Sequence, residues 1–192
     1  MIKSKEDYKT YYKSDCLATG LNDLSFFSKL VDRRPKFYKS LRLTEYYLNC
    51  RRDLVGKVIG KFLVHRHYHL CNKYNWTIPT NVFGPGLAIV HAGTIVVSGH
   101  AKVGANCRIH VCSNIGYAPA KGKDGAPILG DNIYIGPGAK IFGPIEIGDN
   151  VAIGANAVVN SSFKEGNCTI AGMPAKKISD NTSEGYIIKY SI

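Results

Sequence analysis

Six histidines carry most of the proton-transfer chemistry open to this chain: His65, His67 and His69 in the run HRHYH, His91 in VHAG, and the separate His100 and His110. A neutral imidazole, with an ordinary pKa near 6.5, can take a proton from a weak nucleophile such as an alcohol at neutral pH. The HRHYH run has the look of a metal site. On a helix, however, only His65 and His69 share a face, and no carboxylate or cysteine completes a ligand set, so no metal is expected. The six cysteines, at 16, 50, 71, 107, 112 and 168, form no C-x-x-C pair. They read as reduced thiols in a cytoplasmic protein rather than as a disulfide framework. A single histidine such as His91 is more often structural than catalytic, so its role turns on what holds it.

What holds it is a period of six. Leu129, Ile135, Ile141, Ile147, Ile153 and Val159 lie on one lattice, as do Val97, Val103, Ile109 and Ile115, with Phe83, Ile89 and Ile95 two residues out of register. Two positions before most lattice residues stands a second small or apolar residue, among them Ala101, Cys107, Ile133, Ala139 and Val151. That local alternation is a short strand. Glycine after the lattice residue, at Gly130, Gly136, Gly148 and Gly154, permits a bend that a β-carbon would oppose. Strand and corner at constant spacing describe a parallel β-helix, three hexads to a turn, with the aliphatic residues stacked inside. A sandwich of ordinary strands would show turn signals every 8–12 residues instead. The lattice breaks between Ile115 and Leu129, where the Gly- and Pro-rich GYAPAKGKDGAP, residues 116–127, reads as an inserted loop. His110 follows lattice Ile109 where glycine is common, so its side chain is expected in an outer cleft as a substrate-binding group. His100, beside Gly99, reads as a corner residue.

Before residue 77 the pattern becomes helical. Leu43, Tyr47, Leu54, Val58, Phe62 and His65 fall near one helical face, and Pro35 divides an early from a late part. The expected organisation is a small helical domain over 1–75, the coil over 76–175, and a tail over 176–192 that packs on the last turn or runs extended. The net charge of +11 is uneven: residues 1–76 hold 16 Lys and Arg against 7 Asp and Glu. A basic half points to an anionic neighbour, such as a membrane surface or a phosphorylated ligand, or else to a solvated face. Nucleic acid is not expected, because no recognised binding motif accompanies the charge. No signal peptide is read in the charged first fifteen residues, and no apolar run reaches the length of a membrane span.

The lattice, the loop at 116–127 and the ending AGMPAKKI resemble the hexapeptide-repeat acyltransferases. Within them, GPGLAIVHAGTIVVSGHAKVGANC is similar to the serine acetyltransferase branch and to O-acetyltransferases that modify surface-polysaccharide sugars. The resemblance covers residues 80–178. It implies a mainly β fold, a left-handed parallel β-helix with a small helical N-terminal domain. It further implies a homotrimer with acetyl-coenzyme A between neighbouring coils. His91 stands where the family keeps its catalytic base, and the Tyr117 amide where it stabilises an oxyanion. By family position the coenzyme would meet Gly136, Pro137, Ala155, Asn160, Ser161 and Lys176. Small residues let pantetheine lie close to the backbone, and a lysine can meet phosphate, although glycine and alanine are also what the coil itself requires.

The chain departs from serine acetyltransferase at the acceptor. Val90 stands where that branch has an Asp, Trp76 where an Asp orients the imidazole, and Gly125 and Ala126 where an Arg-His pair holds the amino acid. A zwitterion needs paired charges, so the expected acceptor is a hydroxyl of a sugar or lipid-linked surface-polysaccharide precursor. Tyr117 and Tyr134 could stack on its ring or simply pack. The basic half would then serve a peripheral contact at the inner membrane face. Serine O-acetylation in cysteine biosynthesis is the second reading, and a non-catalytic binding or scaffolding trimer the third.

Overall fold

The computed structural model describes residues 1–21, 31–120 and 123–188. Among the described residues, three full helices precede the coil. Helix α1, Lys5–Ala18, starts on Ser4, whose hydroxyl accepts the Asp7 amide, an N-cap that satisfies one of the open donors of a first turn. Helix α2, Arg34–Cys50, begins around Pro35, where the missing N–H costs nothing. Helix α3, Leu54–Tyr74, is capped by Asp53 and closed by Asn75 in the left-handed conformation.

The coil starts at Trp76 and has three faces. The first stacks Trp76–Thr77, Ile95–Val97, Asn114–Gly116, Lys140–Phe142 and Val158–Val159. The second stacks Ala88–Ile89, Arg108–Ile109, Tyr134–Ile135, Ala152–Ile153 and Thr169–Gly172. The third stacks Lys102–Val103, Ile128–Leu129 and Glu146–Ile147. All these pairings are parallel, and lattice residue lies on lattice residue: Ile109 on Ile135, Ile135 on Ile153, Ile115 on Ile141, Ile141 on Val159. The protein is mainly β, a left-handed parallel β-helix under a helical cap.

Every lattice side chain from Phe83 to Val159 is buried, and so are the second positions Ala101, Cys107, Ser113, Ile133, Ala139, Ile145, Val151 and Ala157. Each fully buried aliphatic contributes about 1.5–3 kcal/mol, so the column is the main source of stability. The inserted segment pairs Ala118–Ala120 with Lys123–Gly125 as an antiparallel hairpin; its residues 121 and 122 lie outside the described ones. At the corner between the third and second faces, asparagines in the left-handed conformation form a ladder. Asn106 donates to Asn132, Asn132 to Asn150 and Asn150 to Asn167, at 2.8–2.9 Å.

The cap is joined to the coil by polar groups, not by a lattice. Arg42 is fully buried. It pairs with Asp15 at 2.7 Å and Glu45 at 3.0 Å, and donates to the carbonyls of Phe83 and Gly84. Asp15 accepts the amides of Gly86 and Leu87, Glu45 accepts that of Asn81, and the Tyr38 hydroxyl accepts that of Ile89. His67, also buried, meets the Ile78 carbonyl at 2.9 Å. The helical face read from Leu54, Val58 and Phe62 is not the one that packs: all three are exposed. The packed face of α3 is Gly56, Gly60, Leu63, His67, Leu70, Cys71 and Tyr74.

After the last turn, Ala175–Ser179 pairs antiparallel with Thr169–Gly172. The chain then runs back across earlier turns, where the Ser183 amide donates to the Asn150 carbonyl and the Ser183 hydroxyl to that of Asn132. Residues 189–192 lie outside the described ones.

Candidate active site

The first face of the coil has two long edges, and the sequence-derived site residues divide between them. Strand Ala88–Ile89 ends at the edge shared with the second face, and the next residues, Val90 to Thr94, turn that corner with His91 exposed on it. Gly93 makes the bend possible. Its φ is +144°, and a β-carbon there would come within 2.2 Å of Val111 on the turn above. The same corner carries His110 to Cys112, then Gly136 to Gly138, then Gly154 to Asn156. These are linked by hydrogen bonds from the amides of Cys112, Gly138 and Asn156 to the carbonyls of Thr94, Val111 and Pro137. His91, His110, Gly136, Pro137 and Ala155 therefore line one edge. Lys176, paired opposite Ala171, stands exposed at its far end.

Tyr117, Asn160 and Ser161 follow the strands Asn114–Gly116 and Val158–Val159 onto the opposite edge. Tyr117 is exposed, its ring 5.4 Å from that of His100. About five extended residues separate the edges, on the order of 15 Å. The ring of His91 and the amide of Tyr117 in one chain cannot reach the same acetyl group.

At the His91 edge the rings form a row. His91 and His110 have centroids 5.8 Å apart, His110 and Tyr134 5.2 Å, and Tyr134 stacks on Tyr186 at 4.3 Å. Burial pushes the His110 pKa down, helped by Arg108 and His91 beside it, which favours its neutral form. Its Nε2 is buried without a hydrogen-bond partner, an open polar atom beside the exposed imidazole. Among the described residues the His91 ring makes no hydrogen bond. Trp76, where a carboxylate would orient it, is buried against Phe37 and Tyr74 and serves the core.

Gly136 is packed against the adjacent turn. A β-carbon there would meet the Ile153 carbonyl at 2.7 Å and the Ala155 amide at 2.8 Å, so stacking of the next turn by itself requires glycine. Pro137 and Ala155 are exposed on the His91 edge, and Asn160 and Ser161 on the opposite one, so each edge presents small or polar surface. Among the described residues no three His, Cys, Asp or Glu side chains are grouped to hold a metal ion; His65 and His69 lie exposed on α3 while His67 is buried between them.

Sequence reading missed Tyr186, Arg108 and Tyr38. Tyr186 reaches the site only because the tail folds back. Tyr38 acts through the amide of Ile89, two residues before His91. Neither position has a local pattern to reveal it. Arg108 could have been found as the outward neighbour of lattice Ile109.

Residues 126–161 match the family model for the bacterial transferase hexapeptide, six repeats. A serine acetyltransferase of Mycobacterium tuberculosis is 35% identical over 100 residues, 52% of this chain and 43% of the relative. Among solved structures, the serine acetyltransferase of Neisseria gonorrhoeae is 28% identical with a TM-score of 0.67, covering 91% of this chain and 64% of that one. The Brucella abortus serine acetyltransferase in complex with coenzyme A is 26% identical with a TM-score of 0.70, covering 92% and 70%. The chain spans less than half the length of the curated relatives it matches. The structural matches take in cap as well as coil. The chain carries hexapeptide repeats on a left-handed β-helix and is similar in fold to the serine acetyltransferases.

Proposed function

We propose that the chain is an acetyl-coenzyme A–dependent O-acetyltransferase that works as a homotrimer, with each site built between two copies. The observation that carries this reading is the division of site residues between opposite edges of one face. The His91 edge of one copy laid against the Tyr117 edge of the next brings base, amide and small-residue track together. The Tyr117 amide has no hydrogen-bond partner among the described residues, which leaves it free to donate to an oxyanion.

In this arrangement the coenzyme supplies an activated acetyl thioester. His91 accepts the acceptor's hydroxyl proton as that oxygen attacks the acetyl carbonyl. The Tyr117 amide holds the negative charge that develops on the carbonyl oxygen. His91 then returns the proton to the departing thiolate, so the protein ends unchanged and no covalent enzyme intermediate forms. Lys176, exposed near the end of the coil, is the cation assigned in this reading to the coenzyme phosphates, as a point charge.

For the acceptor, the relatives are serine acetyltransferases, and they favour L-serine over the sugar expected first from the sequence. Arg108, whose charge reaches His110, is a cation available for the amino-acid carboxylate. A second reading, a neutral sugar hydroxyl, keeps one observation of its own. Val90, Gly125 and Ala126 leave the charge partners of a zwitterion missing, and Tyr134 with Tyr186 offers an aromatic surface instead.

The test is thiol release from acetyl-coenzyme A with L-serine, and separately with neutral sugars, as sole acceptor. L-serine is expected to support turnover, and His91→Ala to lower it by about 10²–10⁴-fold with Tm unchanged. Unchanged turnover in His91→Ala removes the imidazole from the reaction. Turnover with sugars alone reverses the acceptor assignment, and no coenzyme A binding by calorimetry returns the protein to a scaffold.

A further inference from the structure

Helix α3 turns an apolar stripe away from the protein. Leu54, Val58 and Phe62, at i, i+4 and i+8, are 78%, 63% and 65% exposed, with Val55 exposed beside them. The stripe continues into a shallow cavity lined by Leu48 of α2 and by Arg51, Arg52, Lys57 and Lys61. The twenty-one residues of α3 contain no Asp or Glu. At 100° per residue, Lys57 and Lys61 flank the stripe on one side, Arg66 and Lys73 on the other. The acid at the helix start, Asp53, is taken by Arg51 at 2.8 Å and by the Gly56 amide.

From this we infer that the outer face of α3 docks the protein on an anionic lipid bilayer. An exposed apolar stripe between two rows of cations is the pattern of a helix lying in a membrane interface, apolar side chains below the headgroups and cations among them. A second copy is a poorer occupant, because a two-fold contact would set Lys57 and Lys61 against their own counterparts with no carboxylate between them. Nucleic acid would match the cations but leave the apolar stripe without a partner. From Leu54 to Tyr68 the face runs about 21 Å along the helix, long enough to lie flat on a surface. No helix of the described residues is long and apolar enough to cross a membrane, so the contact is peripheral.

The experiment is co-sedimentation of the full chain with vesicles of phosphatidylcholine alone or with about 30 mol% phosphatidylglycerol added, in about 0.1 M salt. Binding is expected to the anionic vesicles only, and to weaken as salt is raised. Val58→Asp with Phe62→Asp should abolish it, while Tm and thiol release stay at wild-type values, since both side chains are exposed and far from His91. Lys57→Gln with Lys61→Gln should weaken it about fivefold per charge removed. The inference is overturned if the wild type ignores anionic vesicles, if it binds both vesicle types equally, or if the Asp pair leaves binding intact. It is also overturned if the Asp pair lowers the particle mass in sedimentation velocity, which would assign the face to a contact between copies.

Discussion

The coil and the cap are held by opposite means. In the coil, each buried side chain repeats the environment of the one six residues away, and the interior is almost wholly aliphatic. In the cap, the largest buried side chains of α2 include Arg42, Tyr38 and Phe37, and the junction with the coil is a closed network of Asp15, Arg42 and Glu45. A column of aliphatics tolerates error locally, because many equivalent layers share the load. A buried ion network does not, because removing one member strands a charge. The cap sits on the first turn, whose amides at Gly86, Leu87 and Ile89 it holds, and that turn delivers His91. The less forgiving region is therefore the one that positions the imidazole.

The contrast is sharpest under four substitutions. Ile141→Asp places a carboxylate in the middle of the column, where nothing can pair it; no soluble folded protein is expected, as read by yield and circular dichroism. A stable Ile141→Asp would mean the lattice does not face inward. Arg42→Ala leaves Asp15 and Glu45 buried and unpaired and should cost about 3–5 kcal/mol, measured as a fall in thermal midpoint well beyond that of a conservative coil change such as Ile153→Val, about 0.5–1.5 kcal/mol. If the two are equal, the network is not the weak point of the fold. Tyr38→Phe removes the acceptor of the Ile89 amide together with the hydroxyl's contact with Thr19, with an expected loss of about 1–3 kcal/mol. Because that amide precedes His91 by two residues, the saturated rate of thiol release should fall as well. A lowered midpoint with an unaltered rate would restrict the cap to a purely structural part.

The smallest effect concerns pH. Burial depresses the His67 pKa below its ordinary value. The unfolded chain therefore takes up a proton near pH 6.5 that the folded one refuses. The His67 contribution is complete above that pH and is lost as pH falls toward the depressed folded value, with a slope of at most about 1.4 kcal/mol per pH unit. His67→Gln keeps a donor for the Ile78 carbonyl and removes the titration. Its thermal midpoint should decline less between pH 7 and pH 5 than that of the wild type. Parallel declines would show that His67 takes no part in the acid limb.

How far the sequence could be read follows from this same contrast. The coil announces itself because stacking imposes one short period on many residues; Ile135, Ile141 and Ile147 reveal their common interior before any contact is known. His91, Pro137 and Ala155 stand out through the resemblance of VHAG and the hexads to a known family, and lattice position adds only which corner each residue occupies. The cap hides its logic. Asp15 and Arg42 are 27 residues apart; Asp15 accepts amides 71 and 72 residues away and Arg42 donates to carbonyls 41 and 42 residues away, and no periodicity links them. The reading of α3 erred for a related reason: Leu54, Val58 and Phe62 mark a helical face correctly, but hydrophobicity alone does not say whether the protein or its surroundings cover it.

The amino-acid order alone determined the hexad column and the chemistry available to VHAG, because both depend on residues near in sequence or repeated at a fixed interval. Only the tertiary structure decided that Tyr117 stands across a face from His91, that the tail brings Tyr186 to Tyr134, and that buried charges from α1 and α2 hold the first turn. Those outcomes depend on where distant segments come to rest, and a chain's local pattern carries no measure of that distance.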